Sequence, residues 1–121
     1  MPAENRDTDL VKHILRYCNQ IETAHQDFGN SRLRFDESTT YQNAVSMCIL
    51  QIGELVGHLS ETFRDANTDI PWHKIRGMRN YVAHEYGSID LDIVWYASTV
   101  SIPELKQFCT EYISLHSSGK D

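Results

Sequence analysis

Between Trp72 and Tyr86 the chain gathers its one basic cluster, Lys74, Arg76 and Arg79, opposed only by Glu85, and sets His73, Asn80 and His84 among the arginines. An imidazole with an ordinary pKa of about 6.5 takes and gives a proton near neutrality, as a general acid or base must. A guanidinium beside it can grip a phosphate through two parallel N–H bonds and stabilise the charge that develops there. Arg79 and His84 together therefore have the chemistry to promote attack of an RNA 2'-hydroxyl on the neighbouring phosphate, without a metal.

Those residues need a scaffold. At about 100° per residue the segment PWHKIRGMRNYVAH divides into two faces, Ile75, Met78 and Val82 on one and His73, Arg76, Arg79, Asn80 and His84 on the other. The first face is core. The second faces an anion, with Arg76 and His73 as substrate-binding candidates beside the catalytic ones. Arg79 and His84 are five apart, about 140° on an ideal helix, and point together only if the helix ends near Ala83 and His84 turns on the departing chain. An Arg and a His near a helix end also fit plainer roles, an ion pair and a contact with the helix dipole, and spacing alone leaves both open.

Around this segment the apolar residues recur at three- and four-residue steps. Leu10, Ile14, Tyr17, Ile21, Ala24 and Phe28 predict a first helix, with Asp7 or Asp9 as its cap and Gly29 and Asn30 as its stop. Tyr41, Val45, Cys48, Ile52, Val56, Leu59 and Phe63 predict a second, longer helix capped by Ser38 or Asp36. Inside it Gly53 and Gly57 share a face, each costing about 1 kcal/mol relative to Ala, and close approach of another helix is the expected compensation. Glu54, next to Gly53, is placed to pair with an arginine of the third helix or to remain a solvated carboxylate. Pro71 opens that third helix, which runs to about Ala83 before a loop around Tyr86, Gly87 and Ser88. A fourth helix, capped by Asp90 or Ser88, breaks near Ser101, where Ser101 and Glu104 have the form of a capping box ahead of Pro103, and a last helix carries Leu105, Phe108, Tyr112 and Ile113. Nothing alternates as a strand would. The expectation is an all-α, antiparallel bundle of four to five helices, one domain over residues 1–121.

Composition narrows the function. Hydrophobic residues are 40% of the chain, with no apolar run near the roughly 20 residues of a membrane span. A net charge of -6 argues against broad, charge-driven nucleic-acid binding, so any such contact must be local. The polar N-terminus MPAENRDTD lacks the form of a secretory signal, which places the expectation in the cytoplasm. Cys18, Cys48 and Cys109 fall in helical patterns without a CxxC pairing and read as buried, reduced thiols. The histidines lack the spacing of a zinc site, so no metal and no cofactor is expected. Trp72 and Trp95 fall beside core positions and read as packing residues.

The run Arg79, Asn80, Tyr81, Val82, Ala83, His84, Glu85, Tyr86 resembles the HEPN signature, an Arg, a polar residue, variable residues and a His, in the HepT-like form with a Tyr two after the His. The flanks IPWHKIRGMRN and YGSIDLDIVW, and YQNAVSMCILQIGELVGHLS in the second helix, resemble the same family, so the likeness covers about half the chain. It implies a helical homodimer with two motifs facing a shared cleft, a ribonuclease toxin acting on RNA, and a cognate nucleotidyltransferase antitoxin as partner. It also implies that Arg79 and His84 are catalytic, that Asn80 assists them, and that the antitoxin modifies Tyr86 with AMP. The rival reading is a noncatalytic HEPN subunit that binds nucleotide or a nucleotidyltransferase; a plain helical dimer without a ligand is a third.

Overall fold

The computed structural model describes residues 3–85 and 88–117, the side chains of residues 3, 4 and 117 excepted, so the loop expected around Tyr86 and Gly87 lies outside the described residues. Helix α1 (Ala3–Asp27) starts upstream of Asp7 and Asp9, and neither caps it. Asp7 instead turns inward, its two oxygens accepting from the Ser60 N–H at 2.9 Å and the Ser60 hydroxyl at 2.6 Å. The chain leaves α1 through Gly29 and Asn30, both in the left-handed region at φ 74° and 53°. A six-residue helix α2 (Arg32–Glu37) follows, capped by Ser31 and anchored by the fully buried Phe35.

Helix α3 (Thr39–His58) starts at Ser38, whose hydroxyl accepts the Tyr41 N–H. The sequence pattern predicts one helix from Tyr41 through Phe63, but the chain breaks at Leu59 and Ser60 and gives Phe63 to a separate α4 (Glu61–Ala66). Side chains take the donors that a continuous helix would use: Asp7 accepts the Ser60 N–H, and the Ser60 hydroxyl accepts the Phe63 N–H at 3.1 Å. Helix α5 (Trp72–Glu85) begins just after Pro71 and extends two residues beyond the expected Ala83. Asp90 caps α6 (Leu91–Tyr96) by accepting the Asp92 N–H at 2.9 Å.

No capping box forms at Ser101. A π-helical turn, Ala97–Ser101, carries α6 directly into α7 (Ile102–Ser117). Pro103 has no N–H to give the carbonyl four residues back, and the widened turn accommodates that loss without ending the helix. The Ile102 N–H reaches back five residues to the Ala97 carbonyl, while the hydroxyls of Ser98 and Thr99 donate to the Trp95 carbonyl at 3.1 and 2.7 Å. The described residues thus form seven α-helices and a π turn, with no strand. The surplus over four to five is the short α2 and α4, each too brief to show a helical period.

Residue pairings make α1 and α3 antiparallel: α1 meets α3 at Gln20 and Cys48 and at His25 and Tyr41, its Asp7 holds Ser60 just past the end of α3, and it meets α7 through Glu22 and Lys106, 2.6 Å apart. The core between them includes Val11, Ile14, Ile21, Val45, Ile52 and Leu105. One polar chain crosses it. The Tyr41 hydroxyl donates to His25 Nδ1, His25 Nε2–H donates to the Ser98 hydroxyl at 3.0 Å, and that hydroxyl donates to the Trp95 carbonyl. Cys18, Cys48 and Cys109 are buried free thiols, as their positions predict; burial pushes the Cys109 thiol up to about 12 and raises the other two. No described helix is long and apolar enough to cross a membrane.

Candidate active site

The two helix-weakening glycines of α3 are where α5 docks. A Cβ on Gly53 would lie 2.1 Å from Arg79 Cβ and 3.4 Å from its Cα, so only glycine allows the α5 backbone to come this close. One turn along, a Cβ on Gly57 would sit 3.0 Å from Cζ of Arg76. The expected helix approach is met at Gly53, whereas Gly57 makes room for a guanidinium. Gly53 facing Arg79 and Gly57 facing Arg76 set the helices antiparallel and seat both arginines of the basic segment against α3.

Glu54 adds a second hold on Arg79. Its Oε1 lies 2.6 Å from Arg79 Nε, off the N–H direction, so the contact is a charge pairing and not an aligned hydrogen bond. With the two side chains 31% and 49% exposed, such a pair contributes little stability and chiefly restricts where the guanidinium points. On the other edge, Arg79 Nη1 donates to Asn80 Oδ1 at 3.1 Å.

That bond bears on how Arg79 and His84 relate. The expectation that α5 ends near Ala83 and frees His84 does not hold: the helix continues through Glu85, and His84 sits exposed in its last turn. The two Cα–Cβ bonds therefore diverge by about 140° around the axis. Asn80 lies between them, about 100° from Arg79 and about 40° from His84, on a stripe formed by His73, Gly77, Asn80 and His84. The hydrogen bond to Asn80 is what ties the Arg79 guanidinium to this stripe.

His73, Arg76 and Asn80 come together in a cleft of about 660 Å³ between α4 and α5, whose lining does not include Arg79 or His84. Arg64 of α4 also lines it, with its Nε buried and without a hydrogen-bond partner. Sequence reading passes over Arg64, because it follows the core residue Phe63 in what reads as the end of a longer helix, and only the break at Ser60 turns it toward α5. Trp72 packs as expected, 7% exposed, its indole N–H donating to the Asn67 carbonyl at 3.0 Å. Tyr86 lies outside the described residues.

Comparison with known proteins meets the same segment. The family model described as Ribonuclease HepT-like matches residues 14–112, a span that includes α3, α5 and the whole Arg79-to-His84 motif. The chain is 30% identical over 103 residues to "Putative RNase TTE0752" of Caldanaerobacter subterraneus subsp. tengcongensis, covering 85% of this chain and 90% of that one. It is 31% identical over 98 residues to "Probable ribonuclease HepT" of Thermococcus cleftensis, covering 81% and 87%. A third relative, "Putative RNase MJ0125" of Methanocaldococcus jannaschii, is 30% identical over 94 residues, 78% of this chain and 79% of its own. No solved structure gives a significant match. A helical scaffold that seats an Arg/His segment against a glycine-notched helix, matched over most of its length by ribonuclease relatives, belongs to the HepT-like ribonuclease family.

Proposed function

We propose that this chain is a metal-independent endoribonuclease acting as the toxin of a toxin–antitoxin pair, with Arg79, Asn80 and His84 as its catalytic groups. The observation that carries this reading is the seating of Arg79: packed against Gly53 and paired with Glu54 on one side, it is tied on the other to Asn80, a member of the stripe that ends in His84. Preorganised charge of this kind stabilises a transition state without reorganisation at the moment of reaction. His84 accepts the proton of an RNA 2'-hydroxyl, the freed oxygen attacks the adjacent phosphorus, and the bond from phosphorus to the 5'-oxygen breaks. The departing oxygen takes up a proton from an imidazolium, while Arg79 balances the charge on the phosphate. His73 and Arg76 hold the flanking nucleotide. A second copy related by a two-fold axis completes a shared cleft.

Control of the activity falls to Tyr86, two residues beyond His84. A nucleotidyltransferase antitoxin attaches AMP to its hydroxyl, adding negative charge and bulk that repel and block RNA. Expression of wild type and His84→Ala in cells, with growth scored and RNA ends recovered, tests the proposal. Growth arrest with new RNA ends in the wild type only is the expected outcome; equal behaviour of the two contradicts it.

The contact between Arg79 and Glu54 favours a second reading, in which the carboxylate offsets part of the arginine's charge and the chain binds nucleotide or a partner without cleaving. Purified protein that binds RNA yet leaves it intact would establish that reading over the first.

A further inference from the structure

The cleft between α4 and α5, at about 660 Å³, lies within the roughly 300–1,000 Å³ of small-molecule sites. Its wall mixes charges: Glu61 and Asp65, one turn apart on α4, bring carboxylates, while Arg64 and Arg76 bring guanidiniums. Among the described residues no ion pair joins these four, and the buried Nε of Arg64 has no hydrogen-bond partner. That Nε is out of reach of the cleft, but with no ion pair to occupy them the guanidinium ends of Arg64 and Arg76 can take acceptors that a ligand brings.

Two carboxylates repel a bare phosphate. A neutral heterocycle carrying donors on one edge and acceptors on another fits both signs. Among the four RNA bases guanine matches best: its N1–H and N2–H donate side by side to a carboxylate, and its O6 and N7 accept side by side from a guanidinium. Ile70, Pro71 and Trp72 supply an apolar floor for the ring. The cleft adjoins the stripe of the proposed reacting groups, since Asn80 belongs to its wall and His84 lies one turn further along the same helix face.

We propose that this cleft is a guanine-recognition subsite that holds the base beside the scissile phosphate. Its place in cleavage rests on the ribonuclease proposal, whereas binding of the base does not. Asp65 takes the donor edge and Arg64 the acceptor edge, so the pair selects for sequence while Arg79 and His84 act on the bond.

The test titrates GMP, AMP, CMP and UMP into the full chain and follows the indole N–H signals, with Trp72 as the reporter and Trp95 as the internal control. GMP should shift the Trp72 signal and bind about tenfold or more tighter than the others, a preference lost in Asp65→Asn and in Arg64→Gln. Inosine monophosphate, which lacks the N2 amine, should bind more weakly than GMP. Equal binding of the four nucleotides, no binding of GMP, or a guanine preference that survives both substitutions overturns the subsite. Short RNAs differing only in the base beside the cleavage point separate the two proposals. Guanine-selective binding without cleavage of any RNA leaves the subsite standing and removes the ribonuclease; cleavage at equal rates beside all four bases, with Trp72 unmoved by GMP, does the reverse.

Discussion

In the proposed reaction His84 and Arg79 have separable tasks, proton transfer and phosphate stabilisation, and their side chains leave the helix in different directions, with Asn80, which accepts a hydrogen bond from Arg79, lying between them. Tyr86 belongs to the same scale. Its phenol lies two residues past His84 in the sequence, and its hydroxyl is the acceptor in the proposed AMP transfer. Tyr86→Phe keeps the ring and removes that oxygen. The variant should stay toxic when expressed alone and resist neutralisation by the co-expressed nucleotidyltransferase. Mass spectrometry of the wild-type pair should place the AMP on the peptide containing Tyr86, and AMP on another residue would move the regulatory site elsewhere.

Helix docking decides whether the residues can act together. Gly53 and Gly77 are both helical glycines, yet a Cβ at Gly53 would collide with Arg79 at 2.1 Å while one at Gly77 would meet nothing within 4 Å. Gly53→Ala should therefore push α5 off α3, costing about 1–3 kcal/mol of stability and most of the activity. Gly77→Ala, which only adds helix propensity in open space, should stabilise by about 0.5–1 kcal/mol. Urea unfolding of both variants reads this directly, and effects of the same sign would contradict the docking geometry. The contrast also marks what the sequence discloses. The polar face of α5 is local and periodic, so Arg76, Arg79, Asn80 and His84 can be read from spacing, and the pair of glycines on α3 announces a close approach without naming its partner. Asp7 reads as a helix cap until folding brings Ser60 to it, and Arg64 has no local signal at all, because the cleft that it lines exists only once α5 packs opposite α4. Helices α2 and α4 escape for a related reason: six residues hold less than two turns, too few for a period, and their capping by Ser31 and Ser60 becomes visible only once the chain is folded.

Across the whole molecule the chain from Tyr41 through His25 and Ser98 to the Trp95 carbonyl ties α3, α1 and the π turn together. His25 is 6% exposed, and burial lowers its pKa below the usual imidazole value, so the native state holds it neutral. The unfolded chain then binds a proton that the native state refuses. The contribution of His25 is fully present above the unfolded value of about 6.5 and is lost as pH falls through the lowered folded value. Urea midpoints should drop between about pH 7 and pH 5, and by less in His25→Gln; an equal drop in both would assign the loss to other groups. At the scale of assembly, the shared-cleft proposal requires two copies, and light scattering at micromolar concentration should give twice the 14.0 kDa chain mass. Full activity from a monomer would reject the shared cleft. The central claim, that Arg79 and His84 cut RNA without a metal, is met most directly by incubating purified wild type and His84→Ala with RNA in excess EDTA. The wild type should cleave at an undiminished rate and His84→Ala about 100-fold or more slowly while remaining folded; loss of wild-type cleavage in EDTA that magnesium or zinc restores, or equal cleavage by both proteins, would contradict it.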